Sequence, residues 1–133
     1  MTPEAESYLS KARGDLDDAR KIADIRLAKV AARSAYYAAF HAAEALIIEH
    51  TGKVVKTHSG VRSELARLLK NAPADRALAT FLAQAYKYKE IGDYGVGARA
   101  IVTDEEAQEA IAGAERFIDR VAILLMRTGR TQS

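Results

Sequence analysis

The chain contains no cysteine, which excludes disulfides and thiolate metal sites. Its two prolines, Pro3 and Pro73, each fall at an expected helix start, so the long segments between them run without a break. Strand signals are nearly absent, and the β-branched pair Val54-Val55 sits in a linker between helical patterns. No apolar run approaches the roughly 20 residues that cross a bilayer. The opening Met1-Thr2-Pro3-Glu4 is acidic rather than leader-like, and the expected location is cytoplasmic, with no membrane partner. An excess of one charge is also lacking. Twenty basic against 18 acidic residues leave +2, so the total shows no strong nucleic-acid footprint, and only local patches remain open. The three histidines, His41, His50 and His58, form no ligand spacing, so neither a metal nor a cofactor is expected.

What the chain does have is helical periodicity over 133 residues, enough for one compact domain. Such a domain buries about two-thirds of its unfolded surface and needs no staple. Tyr8, Ala12, Leu16, Ala19, Ala23 and Leu27 share one face of a first helix starting at Pro3, with Thr2 as its cap. A second, alanine-rich helix over about 29–50 presents Tyr36, Phe40, Ala43 and Ile47 beside Ala35, Ala39, Ala42 and Leu46, and Thr51-Gly52 stops it. A third spans about 59–71 with Val61, Leu65, Leu68 and Leu69 inward. Pro73 opens a fourth with Leu78, Phe81, Leu82, Ala85 and Tyr88, which must end near the glycines at 92, 95 and 97. Thr103 with Glu106 forms a capping box for a fifth helix, whose Ala107, Ile111, Ala114, Ile118, Val121 and Leu125 suit bundle packing. The reading is all-α: an up-and-down bundle of four to five helices over 1–127, followed by a flexible tail at 128–133.

Three departures from plain amphipathicity carry possible chemistry. Arg33, Tyr37, His41 and Glu44 lie along one stripe of the second helix. They suit either phosphate binding and proton transfer, or ordinary packing with solvated charges. Lys56-Thr57-His58-Ser59-Gly60 precedes the third helix, where His58 and Ser59 either face an anion or belong to a simple cap made by Thr57 or Ser59. Finally, Tyr86-Lys87-Tyr88-Lys89-Glu90-Ile91-Gly92-Asp93-Tyr94 interleaves lysines with aromatics. That pattern serves RNA contact by charge and stacking, or a structural helix end.

The block Tyr36-Tyr37-Ala38-Ala39-Phe40-His41-Ala42-Ala43-Glu44-Ala45-Leu46, then Lys56 to Val61, then a helix ending in Asp93-Tyr94-Gly95, resembles the HEPN domain. More narrowly it is similar to the small stand-alone bacterial and archaeal branch, over about 5–125. The resemblance implies a helical bundle, usually a homodimer. It also implies one of two roles: a metal-independent ribonuclease using the 2′-hydroxyl as nucleophile, or the partner of a minimal nucleotidyltransferase in a toxin–antitoxin pair. It places Lys89, Asp93 and Tyr94 at the catalytic motif, and Arg33, Tyr37, His41, His58 and Ser59 around a groove for nucleotide or RNA. Lys89 stands where the motif has arginine, Tyr94 where ribonucleases have histidine, and Val96 where some relatives carry an AMP-accepting tyrosine. Lysine lacks the planar fork that grips phosphate. A phenol with a pKa near 10 is a poor base at neutral pH. The expectation is therefore binding without efficient cleavage, with ribonuclease activity or a non-catalytic adaptor role as alternatives.

Overall fold

The computed structural model describes residues 1–95 and 101–132, with side chains to position 127; Val96 and Gly97 lie outside the described residues. The elements are α1 (Pro3–Asp24), α2 (Ala28–Thr51), α3 (His58–Leu68), a single 3₁₀ turn (Pro73–Asp75), α4 (Arg76–Tyr94) and α5 (Asp104–Gln132). No strand occurs among the described residues. Nor is any described helix long and apolar enough to cross a membrane.

The caps explain where the helices begin and end. The Thr2 hydroxyl accepts from the Ala5 amide at 3.2 Å, and Pro3 follows at the first helical position. The α2 C-cap, Gly52, takes φ 73°, the left-handed conformation that glycine adopts without a Cβ penalty. Thr103 and Glu106 cap α5 reciprocally, each accepting from the other's backbone amide.

Helix α2 is the centre of the bundle and packs against each of the other four. Its alanines at 31, 32, 35, 38, 39, 42, 43 and 45 are buried on nearly all sides, and small side chains let the neighbouring helices approach closely. Tyr36, Leu46 and Ile47 fill the space that remains. Every apolar residue assigned inward on α5 is buried, and so are Leu78, Leu82, Ala85 and Tyr88 on α4.

The structure departs from the sequence expectation at the ends of α1 and α3. Leu27 does not extend the α1 face. The helix ends at Asp24, Arg26 turns the chain with φ 65°, and Leu27 is half exposed at the N-cap of α2. Helix α3 stops at Leu68, and Pro73 opens the 3₁₀ turn rather than α4 itself. Helix α4 ends at Tyr94 with Gly95 as its C-cap, within the expected glycine stretch, and passes through Gly92 on the way. A Cβ there would stand 2.5 Å from Arg33 Cδ, so the glycine serves close approach to α2 rather than ending the helix. Helix α5 runs to Gln132.

Candidate functional site

The spacing of α2 sets Arg33, Tyr37 and His41 one turn apart, and the close contact at Gly92 brings the end of α4 onto this stripe. Arg33 Nε donates to Asp93 Oδ1 at 2.8 Å, and Lys89 Nζ lies 3.1 Å from Asp93 Oδ2. One carboxylate thus clasps two cations. Lys89, followed by Arg33, holds the Asp93 carboxyl below its ordinary range, and the Asp93 bond holds the Lys89 ammonium above its own. Both cations also sit on aromatic rings. The Arg33 guanidinium is 4.9 Å from the Tyr37 centroid, and Lys89 Nζ is 5.3 Å from that of Tyr94. Tyr94 is 75% exposed.

Behind this clasp lies an aromatic nest built from α2, α3 and α4. His58, the first residue of α3, stacks 4.5 Å from Phe40 and lies 5.7 Å from Tyr37 and 5.6 Å from Tyr86. Its Nδ1 is 2.7 Å from the hydroxyl of fully buried Tyr36. Burial raises the Tyr36 pKa, so the phenol keeps its proton. Burial, followed by the positive charges of Lys89 and Arg62, lowers the pKa of His58, so the ring is neutral at pH 7. With the Tyr36 O–H donating to Nδ1, the assigned tautomer carries its proton on Nε2. On that assignment His58 offers a donor to the site rather than a base.

His41 continues the stripe one turn beyond Tyr37 and meets α1. Its Nδ1 is 2.6 Å from Glu44 Oε1, and its Nε2 is 3.5 Å from Asp15 Oδ2 on α1. Burial raises the Asp15 pKa, with His41 opposing the effect. Asp15 lines a groove of about 380 Å3 between α1 and α2, together with Lys11, Ile22, Val30, Arg33 and Tyr37.

The structure therefore brings together Lys89, Asp93, Tyr94, Arg33, Tyr37 and His58. His41 is one ring away, its centroid 6.0 Å from that of Tyr37, and it opens to the α1–α2 groove. Ser59 is not brought in. It is exposed in the first turn of α3, and no hydrogen bond or ion pair joins it to the cluster among the described residues. The α3 cap is Thr57, whose hydroxyl accepts from the Gly60 amide at 3.0 Å. Sequence reasoning missed Arg62 and Asp15. The Arg62 guanidinium lies 4.2 Å over Tyr86, one helical turn beyond His58, and that spacing was the available signal. Asp15 had no such signal, because its role depends on how α1 meets α2. Among the described residues no group of three or more His, Cys, Asp or Glu side chains could hold a metal ion.

Comparison with known proteins fits this arrangement. A profile of the HEPN domain matches residues 5–124, most of the chain. The chain belongs to the HEPN family. Among its relatives is a UPF0332 protein of Gloeobacter violaceus, 34% identical over 121 residues, covering 89% of this chain and 93% of the relative. UPF0332 proteins of Thermotoga maritima and Archaeoglobus fulgidus are each 28% identical. They cover 90% and 88% of this chain, and 89% and 91% of their own lengths. In this HEPN domain the clasp on Asp93 sits at the end of α4, against Arg33 of α2.

Proposed function

We propose that this HEPN protein acts as a homodimer, paired with a minimal nucleotidyltransferase in a toxin–antitoxin-like system, and binds nucleotide or RNA without efficient cleavage. The observation that carries the reading is the clasp of Lys89 and Arg33 on Asp93. A cation engaged by a carboxylate offers less to a phosphate than a free one, and Lys89 lacks the bidentate fork of arginine. Tyr94 supplies an exposed ring for stacking, but its phenol is a weak base at neutral pH. The groups on the site suit holding RNA better than taking a proton from its 2′-hydroxyl. The pairing with a transferase and the dimer rest on the family likeness.

A second reading, a metal-independent ribonuclease toxin, has one observation in its favour: the neutral imidazole of His58 within reach of the Lys89 charge. The Tyr36 hydrogen bond counts against it in the tautomer where the phenol donates, because His58 then presents N–H rather than a lone pair.

The test is retention of labelled single-stranded RNA by the purified protein in EDTA, with the recovered RNA sized on a gel. The expected result is retained, full-length RNA. Shortened RNA would move the protein to the ribonuclease reading, and no retention would leave the adaptor.

A further inference from the structure

Ten successive residues of α4, 77–86, carry no charge, in a chain where 29% of residues are charged. A run as long in α2, 34–43, is mostly buried, because α2 packs against each of the other helices. Burial accounts for only part of the α4 run. Leu78, Leu82 and Ala85 are buried, but Ala77, Thr80, Ala83 and Gln84 are exposed. The exposed face of a surface helix ordinarily carries charge, and its depletion is the compositional mark of an interface centre. The same face borders a groove. Helices α4 and α5 run antiparallel and meet where Phe81 lies against Phe117 and Gly113, with a hollow on either side of that contact. One hollow, of about 170 Å3, is lined by Ala77, Leu78 and Arg116; the other, of about 180 Å3, by Gln84, Lys87, Tyr88 and Glu109. Lys87 on α4 and Glu109 on α5 are exposed on opposite walls of the second hollow, and no ion pair joins them.

We propose that the α4–α5 face docks a second copy of this chain about a two-fold axis running along the groove. Helix α4 of each copy then lies across α5 of the other, and Lys87 meets Glu109 of the second copy. The charges argue for this occupant. Walls that carry one charge of each sign are their own complement under such an axis, which gives two equivalent ion pairs beside an uncharged centre. A polyanion would call instead for cations on both walls. The inference rests on the homodimer in the reading above and assigns its face.

The experiment is sedimentation velocity over a range of protein concentrations. It compares wild type with Gln84→Arg, Lys87→Glu, Glu109→Lys and, as a control on the exposed side of α3, Ser63→Arg. All four positions are exposed, and circular dichroism with thermal melting checks that each variant folds. Wild type and Ser63→Arg are expected to be dimers, and Gln84→Arg a monomer. Lys87→Glu and Glu109→Lys each set like charges opposite one another, and each is expected to weaken the dimer about tenfold or more. An equimolar mixture of those two variants is expected to recover the dimer, because each copy supplies the charge that the other lacks. A wild-type dimer that none of the three groove variants alters would overturn the face and leave the homodimer standing. Single variants that weaken the dimer without recovery on mixing would overturn the pairing across the two-fold axis. Wild type that stays monomeric at every concentration would remove both the face and the homodimer.

Discussion

His58 shows how one side chain's surroundings set its chemistry. Burial and two neighbouring cations favour its neutral form in the fold, so its pKa lies below the ordinary value of about 6.5. The sign of the pH effect follows. Between the folded and the ordinary value, the unfolded chain binds more protons, so this histidine's contribution is present above about pH 6.5. It is lost as pH falls through the depressed folded value. Urea denaturation from pH 8 to pH 5 is expected to show wild type losing stability over the lower part of that range. His58→Asn, which cannot take the proton, should show a shallower decline. Equal slopes would mean that the ring is not held neutral. At this scale the sequence was partly legible. The residue types and the spacing of Arg33, Tyr37 and His41 were visible, and so was Lys89 with Asp93. The Tyr36–His58 bond was not, because Tyr36 reads as a core residue and its hydroxyl finds a partner only across α3.

The elements owe their ends to local signals and their arrangement to α2. Thr2, Gly52 and Thr103 were readable because caps act within a turn of sequence. The ends of α1 and α3 were not, since no glycine or proline marks the left-handed turn at Arg26 or the C-cap at Leu69. Phe117 was also missed from the inward set. It is fully buried where α4 and α5 meet, 6.1 Å from Phe81, and Gly113 leaves room for the Phe81 ring beside it. Two substitutions on α5 should separate local from tertiary stabilisation. Thr103→Ala removes an exposed cap and is expected to cost about 1 kcal/mol. Phe117→Ala opens the core and is expected to cost about 3–5 kcal/mol. Equilibrium denaturation with urea measures both, and a cap loss as large as the core loss would contradict this division.

For the molecule as a whole, near-balanced charge and a cysteine-free, strand-poor sequence sufficed for an all-α bundle, because amphipathic helices with short connections have few ways to bury their faces. The site was harder to read. Residues far apart in the chain meet there where α4 packs on α2, with Gly92 against the Arg33 side chain. The central proposal is that this domain holds RNA in a cluster whose Lys89 and Tyr94, at the positions the resemblance gives to the motif, do not support cutting. The most direct measurement incubates single-stranded RNA in EDTA with wild type, with Lys89→Ala/Tyr94→Phe, and with Lys89→Arg/Tyr94→His, which restores the family's guanidinium and imidazole. The account predicts intact RNA with wild type and with the first variant, and shortened RNA with the second. Wild-type cleavage that survives EDTA and vanishes in Lys89→Ala/Tyr94→Phe would contradict it.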